Sequence, residues 1–306
     1  RQHADVKTLA LDELGAHMSI AGGLHLAPER GHALGCFAVQ IFVKNQRQWA
    51  APPLRDDDVR AFRAARRSSR VRSVFAHASY LINLASPDPV AWQRAVSFFT
   101  DELERAEALG LLCVAIHPGS HLGTGIEAGV ERVAQAVAEV LRRTRGYRVR
   151  VALENTAGAG GSVGRTFGEL GALVRRLDGA RRVGVCRDPR HLFPAGYDIR
   201  SPPGYDAAMA ECAREVGIAR VVAFHLNDAR APLGSGLDRH EHIGRGYLGL
   251  PAFRLLLNDP GFADVPKVLE TPKDPEPAAD LRNLATLRRL RRVSGTSSRR
   301  PAGRAR

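Results

Sequence analysis

Eight short apolar runs recur along the chain, and longer segments with helical spacing of apolar residues lie between many of them. The predicted strands are residues 14–17, 37–43, 71–76, 111–116, 149–153, 183–186, 221–225 and 267–269. The predicted helices include residues 89–109, 127–144, 166–177, 205–216 and 250–257. Strands that alternate with helices form parallel βαβ units. Eight such units predict an α/β protein with a closed (β/α)8 TIM barrel.

An open, doubly wound sheet is the rival architecture. Such sheets usually have fewer strands and a G-x-G-x-x-G phosphate turn after the first one. The first turn here reads Ala21-Gly22-Gly23, which does not fit that pattern. The 306 residues could also form two small domains, but barrels run to about 250 residues as one unit. We therefore predict an N-terminal extension at residues 1–12, one barrel at residues 13–292 and a basic disordered tail at residues 293–306.

The net charge of +13 is unevenly distributed, because eight arginines and no acidic residue lie in the last 19 residues. Arginines on a flexible arm can bind a polyanion such as a nucleic acid. The alternative is a solvated extension without a role. Charge alone does not separate these two interpretations.

The four cysteines are widely spaced, and Cys113 and Cys186 lie inside apolar runs, which favours buried thiols over disulfides or a zinc knuckle. No apolar run reaches the roughly 20 residues of a membrane span, and the first residues lack the apolar segment of a signal peptide. We therefore expect a cytoplasmic protein with no membrane partner. A monomer is the default expectation.

Residues that can bind metal ions follow the apolar runs. They are His77, His117, Glu154, Asp188, His191, His225 and Glu270, together with Asp238 and His240 in a loop before the last strand. The C-terminal ends of barrel strands meet at one face, where active sites form. Carboxylates gathered there would repel one another by several kcal/mol, as an order of magnitude, unless cations were present. Imidazole with carboxylate suits Zn²⁺, Mn²⁺ or Fe²⁺ better than Ca²⁺ or Mg²⁺.

A charge count bears on the substrate. Glu154, Asp188, Asp238 and Glu270 together carry four negative charges. Three divalent ions would leave a surplus of about two positive charges, which suits a phosphodiester substrate. Two ions would leave no surplus, so the count favours phosphate chemistry only with a third ion.

Ten ordered strings resemble the endonuclease IV family, the metal-dependent apurinic/apyrimidinic endonucleases of base excision repair. They are residues 15–19 (GAHMS), 41–49 (IFVKNQRQW), 77–84 (HASYLINL), 117–121 (HPGSH), 154–158 (ENTAG), 184–186 (GVC), 195–198 (AGYD), 225–228 (HLND), 238–244 (DRHEHIG) and 269–271 (LET). The likeness spans roughly residues 13–290. It implies a xylose-isomerase-like barrel with the active site at the C-terminal ends of the strands.

The resemblance implies three Zn²⁺ ions, with Mn²⁺ or Fe²⁺ possible in part. One ion would be held by His77, His117 and a bridging Glu154. The ligands of the second would be Glu154, Asp188, His225 and Glu270. The ligands of the third would be His191, Asp238 and His240.

The same resemblance implies double-stranded DNA with abasic sites as the substrate. Arg47, Tyr80 and Leu81 would enter the DNA at the lesion, with the abasic sugar flipped into the pocket. A nucleotide without a base has little stacking to lose, so its extrusion costs less than that of a normal nucleotide. For Tyr80 and Leu81, ordinary loop packing is the alternative.

The activity implied is three-metal hydrolysis of the phosphodiester 5′ to the abasic site. It would leave a 3′-hydroxyl and a 5′-deoxyribose phosphate, and blocked 3′ ends would be trimmed as well. Glu154 is the predicted catalytic side chain, because it could orient the nucleophile as it bridges two ions.

The chain departs from the family beside its ligands. The family usually reads Cys-x-Asp-Thr-Cys-His where this chain reads CRDPRH at residues 186–191. Arg187 replaces an apolar residue, Pro189 removes a backbone donor, and Arg245 stands where the family has an acid. Three interpretations of these changes stay open. They are neutral drift, or they weaken the surroundings that hold the ligands in place, at a cost of about 10- to 100-fold in metal affinity or activity. The third interpretation is that the added arginines strengthen phosphate binding.

Two rival functions stay open. A sugar isomerase or epimerase barrel would also place His and Glu at strand ends, but it needs fewer ions and no DNA-reading loops. The Asp238–His240 loop and residues 46–49 argue against it. An abasic-site binder with impaired catalysis is the other alternative, suggested by Arg187, Pro189 and Arg245.

Overall fold

A closed barrel of eight parallel strands forms the centre of the computed structural model, which describes residues 13–49, 51–177, 179–273 and 277–291. The barrel strands are β1 (Leu14–His17), β2 (Ala38–Ile41), β3 (Ser73–His77), β4 (Cys113–Ile116), β5 (Arg150–Glu154), β6 (Val183–Arg187), β7 (Val221–Leu226) and β10 (Lys267–Leu269). Neighbours along the chain pair with each other, and β10 pairs with both β7 and β1 to close the ring. The predicted barrel is confirmed. The N-terminal extension and the tail from residue 293 lie outside the described residues.

Four strands end one residue later than predicted, whereas β2 ends at Ile41, two residues earlier than predicted. β3 and β5 each continue one residue past the last apolar position, to His77 and Glu154. Both end residues keep a partner in the sheet, since His77 pairs with Ala115 and Glu154 with Cys186. These two ligands therefore belong to strands, which fixes their backbones, whereas His117, Asp188 and Glu270 directly follow the ends of theirs.

Nine α-helices are present among the described residues. They are α1 (Leu26–Ala33), α2 (Asp56–Ser68), α3 (Pro89–Leu109), α4 (Ile126–Arg143), α5 (Phe167–Arg176), α6 (Pro189–Ala195), α7 (Pro202–Glu215), α8 (Gly249–Leu257) and α9 (Ala278–Leu290). α3 has the predicted bounds because its sequence marks both ends: Asp88 caps the N-terminus, Pro89 starts the helix, and Gly110 ends it at φ 72°. The other four predicted helices are confirmed, with ends that differ from the prediction by at most three residues.

A loop that begins at the end of β7 returns over the barrel mouth as a small antiparallel pair, β8 (Asp228–Ala229) and β9 (His240–Glu241). The buried Asp228 carboxylate organises this loop, because it accepts backbone N–H bonds from Gly244 (2.9 Å) and Leu248 (3.0 Å). The loop brings Asp238 and His240 to the C-terminal face of the barrel.

The interior of the barrel is a small, separate core. Its members are Ala38, Phe75, Cys113, Ala115, Ala152, Cys186, Val222, Ala223 and Val268. A much larger core lies between the strands and the surrounding helices. All four cysteines are buried free thiols, which confirms the interpretation of Cys113 and Cys186.

Candidate metal centre

The alternation of side chains along the strands aims the candidate ligands into the barrel mouth. Successive residues of a strand face opposite sides, so a residue two places after an interior one faces inwards as well. The pairs of interior residue and ligand are Phe75 and His77, Ala115 and His117, Ala152 and Glu154, Cys186 and Asp188, Ala223 and His225, and Val268 and Glu270. Six strand ends thus deliver six ligand-capable side chains to one place.

The first group consists of His77, His117 and Glu154. The Nε2 atoms of both histidines lie near Glu154 Oε2, at 3.1 Å for His77 and 3.2 Å for His117. His77 is oriented by its other ring nitrogen, since Nδ1–H donates to the Ala78 carbonyl at 2.7 Å. This bond fixes the tautomer and leaves Nε2 free to bind an ion.

The second group consists of Glu154, Asp188, His225 and Glu270, whose ligand atoms lie within 4.8 Å of one another. His225 Nδ1 is 2.8 Å from Glu154 Oε1 and 3.5 Å from Glu270 Oε2. Glu154 therefore presents one carboxylate oxygen to each group. Both donor sets fit a divalent ion such as Zn²⁺, which favours imidazole and carboxylate ligands.

In both groups, histidine rings face carboxylates, and this arrangement determines the pKa values of the carboxyl groups. Burial opposes ionisation of Glu154, but the His225 and His117 rings outweigh it and hold the pKa of this carboxyl well below its usual range. Glu270 is half-buried, which also opposes its ionisation, but His225 and His77 lower its pKa to about 2. The carboxylates are thus ionised and ready to bind metal ions.

Gln40 on β2 is a participant that the sequence analysis missed. Its Oε1 accepts from His225 Nε2–H at 2.6 Å, and its Nε2 donates to Glu270 Oε1 at 2.5 Å. Nε2 also lies 3.0 Å from His17 Nδ1. Because one amide holds two ligands in their binding orientation, Gln40 acts as a positioning residue. The signal was available, since Gln40 follows the interior residue Ala38 by two positions.

His191, Asp238 and His240 do not form a third group of this kind within the described ranges. His191 Nε2 is 3.3 Å from Asp238 Oδ2, whereas His240 is exposed and contacts Asn227 Oδ1 at 3.3 Å through Nδ1. The guanidinium of Arg190 lies among these residues. It forms ion pairs with Asp188 (3.1 Å) and with Asp238.

His191 also contacts this guanidinium, since Arg190 Nη2 lies 2.6 Å from His191 Nε2. Two N–H donors cannot face each other at 2.6 Å, so the contact fits a neutral ring that accepts from Arg190. Its proton then lies on Nδ1, 3.3 Å from Glu154 Oε1.

The residues that depart from the family are accommodated locally. Asp188 is extended (φ −119°, ψ 113°) and caps α6 by accepting from Arg190 N, and Pro189 is the first residue of that helix. Proline suits this position, because the first N–H of a helix has no partner inside it. Pro189 therefore removes no hydrogen bond from the site.

Arg187 faces away from the metal centre. Since Cys186 points into the barrel, Arg187 points into the helix layer, where its side chain is buried. The guanidinium carbon lies 4.9 Å from the Phe167 ring centroid and 5.7 Å from that of Phe224. Its Nη1 contacts Met209 Sδ at 3.1 Å, and Nε has no hydrogen-bond partner. Arg245 is exposed in the turn after β9 and likewise does not contact the ligands.

The three predicted DNA-reading residues lie on two neighbouring loops beside the centre. Tyr80 is 68% exposed and lines a pocket of about 300 Å³ together with His77, His117 and Arg190. Leu81 is half-buried, and Arg47 is exposed. Ser79 Oγ joins the two loops by donating to the Gln46 carbonyl at 2.8 Å. All three side chains are thus placed at the rim of the barrel.

The fold and the site define the class of this protein as a (β/α)8 barrel with a candidate metal centre of histidines and carboxylates in its mouth. Comparisons with known proteins agree with this class. A family model described as a xylose isomerase-like TIM barrel matches residues 28–290. The chain is similar to a D-tagatose 3-epimerase-like protein of known structure, with a TM-score of 0.68 at 16% identity over 90% of this chain and 96% of that one. At this identity the likeness concerns the fold alone.

More similar proteins narrow the class. The probable endonuclease 4 of Chloroflexus aurantiacus is 45% identical over 92% of this chain and 98% of its own. That of Oleidesulfovibrio alaskensis is 48% identical over 90% and 94%. The endonuclease IV structure from Thermus thermophilus has a TM-score of 0.80 at 38% identity, covering 90% of this chain and 98% of that one. The chain belongs to the endonuclease IV family, which confirms the resemblance and the prediction of an endonuclease-type hydrolase.

Among the described helices, none combines the length and the apolar composition that a transmembrane span needs.

Proposed function

We propose that this protein hydrolyses the phosphodiester 5′ to abasic sites in double-stranded DNA. The observation that carries the proposal is the pair of ligand groups that share Glu154 at the mouth of the barrel. Membership of the endonuclease IV family supports DNA as the substrate. The bacterial cytoplasm, where a bacterial chromosome lies, is the compartment that we propose for this activity.

The two groups fit one divalent ion each, and Zn²⁺ is the first choice for their donors, with Mn²⁺ or Fe²⁺ as substitutes. Divalent ions at such positions lower the pKa of water and neutralise phosphate charge. The resemblance also implies a third ion at His191, Asp238 and His240, a position where Arg190 now lies.

The residues of the chain have distinct parts in the reaction. Glu154 holds both groups in register, one oxygen to each, and orients the attacking water. Gln40 and the Ala78 carbonyl keep His225 and His77 in the tautomers that bind ions. Tyr80 and Leu81 pack against the DNA where the abasic nucleotide leaves the stack, and Arg47 contacts the backbone.

The balance of the reaction fixes its products. Water adds its oxygen to phosphorus, the bond from phosphorus to O3′ breaks, and the 3′ oxygen takes up a proton. The ends are a 3′-hydroxyl and a 5′-deoxyribose phosphate. A 3′ end blocked by a sugar fragment is also joined through a phosphodiester, so the same hydrolysis would trim it.

A nicking assay on a duplex with one tetrahydrofuran abasic analogue tests the proposal. Zn²⁺-loaded protein should nick 5′ to the analogue, chelation should abolish nicking, and an intact duplex should stay uncut. Tight binding without nicking would identify an abasic-site binder instead. Equal behaviour towards both duplexes would overturn the proposal, and turnover of a ketose by the same preparation would favour the epimerase alternative.

A further inference from the structure

Arg190 has an unusual environment for an arginine at the barrel mouth. Its side chain is 2% exposed although it belongs to the first turn of a helix there. Its four main contacts are all with predicted metal ligands, and three of them are made by the side chain, to Asp188, Asp238 and the ring of His191. The fourth is made by its own backbone N–H, which donates to Asp188 Oδ1 at 2.7 Å.

The guanidinium and a metal ion would compete for the same atoms. A zinc ion bound to His191 Nε2 would lie about 2.0–2.1 Å from that nitrogen. Arg190 Nη2 already lies 2.6 Å from it, and Arg190 Nη1 contacts Asp238 Oδ1. Two cations cannot share this space, because both the overlap and the repulsion between them would be large.

We infer that the Arg190 guanidinium replaces the third ion, so that the chain binds two divalent ions and supplies the third cation from its own sequence. The guanidinium also lines the pocket that holds His77, His117 and Glu270. On the basis of the proposed function, it is placed to bind a phosphate oxygen of the DNA.

Charge supports this assignment. Two divalent ions only neutralise Glu154, Asp188, Asp238 and Glu270, whereas Arg190 adds one positive charge that remains available to a phosphodiester. A guanidinium keeps its charge at ordinary pH, and the ion pairs with Asp188 and Asp238 stabilise this charge in its buried position. A guanidinium binds phosphate through paired N–H donors and stabilises charge in phosphoryl transfer.

Metal analysis tests the inference without reference to activity. Protein stripped with chelator, reloaded with excess Zn²⁺ and freed of loose metal by gel filtration should contain two ions per chain. Arg190→Ala should contain three, because Asp238 and His191 are then free to bind. Arg200→Ala is the matched control, since Arg200 is an exposed arginine that pairs with Asp198 away from the centre, and it should contain two.

Two results would overturn the inference: three ions in the wild-type protein, or two ions in folded Arg190→Ala. Should Arg190→Ala not fold, Arg190→Cys restores the residue that the family usually has there and should also raise the content to three. Lack of nicking by wild-type protein with two ions would reject the proposed function and leave the stoichiometry standing. Nicking by wild-type protein that contains three ions would reject the inference about Arg190 and leave the proposed function standing.

A kinetic readout completes the test. With Zn²⁺ limited to two equivalents, Arg190→Ala should lose about 100-fold in kcat on the abasic duplex, the usual effect of removing one preorganised hydrogen-bond donor to the transition state. Excess Zn²⁺ should restore part of this loss in the variant and change the wild-type rate little. An unchanged kcat at two equivalents would show that the guanidinium does not act on the phosphate.

Discussion

The two halves of the metal centre neutralise their carboxylates in different ways. On the side of β3, β4 and β7, Glu154 is faced by the imidazoles of His77, His117 and His225. On the side of α6, the guanidinium of Arg190 faces Asp238 and also Asp188, which belongs to the second ligand group as well. An imidazole can lose its proton and bind an ion, whereas a guanidinium keeps its charge under all ordinary conditions. The first half, called the recruiting half below, therefore takes up its cations from solution. The second, called the Arg190 half, uses the guanidinium of Arg190 as its cation.

Replacement of the bridging carboxylate should have the largest effect, because it affects both ions of the recruiting half. Glu154→Gln is expected to lower kcat/KM on the abasic duplex on the order of 10⁴-fold, as loss of a central catalytic group does elsewhere. The Zn²⁺ content should fall below two per chain. Glu104→Gln, an exposed position on α3, is the control and should keep both properties. Normal metal content and rate in Glu154→Gln would remove the distinction between the two halves.

The second prediction concerns a buried carboxylate outside the metal centre, which has fewer cations around it than Glu154 and Asp188 have. It shows how a carboxylate behaves when burial is not fully compensated by nearby cations. Glu102 on α3 is buried next to the loops that carry Arg47 and Tyr80, accepts from Ser79 N (3.2 Å) and lies 3.8 Å from Lys44 Nζ. Burial outweighs the nearby Lys44 and raises the pKa of Glu102 to about 7. The folded state therefore holds this proton more tightly than the unfolded state, whose carboxyl has an ordinary pKa.

Stability contributed by Glu102 should thus be highest below the ordinary pKa of glutamate and fall as the pH rises to about 7. Glu102→Gln removes this dependence. The variant should gain stability relative to the wild type between about pH 5 and about pH 8, on the order of 3 kcal/mol. Denaturant unfolding at several pH values measures the difference, with Glu104→Gln as the neighbouring control. A pH-independent difference between variant and wild type would show that Glu102 titrates normally.

The third prediction concerns the orientation of ligands in the recruiting half. Gln40→Leu removes the acceptor for His225 Nε2–H and the donor to Glu270. Loss of such an orienting partner costs about 10- to 100-fold in metal affinity or activity. Competition with a fluorescent zinc chelator should detect weaker binding of at least one ion. The Arg190 half should be unaffected. If Gln40 only positions ligands, saturating Zn²⁺ should restore kcat, and a kcat defect that persists would contradict this role.

Much of this arrangement follows from sequence, for physical reasons. The eight apolar runs determine the barrel, and the two-residue period of each strand carries the interior positions onward to His77, Glu154 and Glu270. Gln40 obeys the same period and was missed because an amide is not itself a usual zinc ligand. The conformation of Arg190 could not be predicted, since no local pattern determines where a long side chain on the first turn of a helix points.

Arg187 is the opposite case. The sequence analysis treated it as a departure from the family beside a metal ligand, but the alternation of side chains along the strand already places it away from the ligands. Cys186 faces the barrel interior, so Arg187 must face the helices. There it packs on Phe167, Phe224 and Phe262 and lacks a hydrogen-bond partner at Nε. The aromatic rings compensate only part of the cost of burying a charge, so this arginine contributes less to stability than its contacts suggest.

The smallest expected effect follows from that position. Arg187→Met keeps a long, flexible side chain against the three rings and removes the buried charge. It should leave stability unchanged or raise it by about 1 kcal/mol in denaturant unfolding. Metal content and nicking should not change, because the side chain lies outside the barrel mouth. Destabilisation by several kcal/mol would mean that the aromatic rings stabilise the guanidinium fully, and the two arginines of this segment would then both be structural cations.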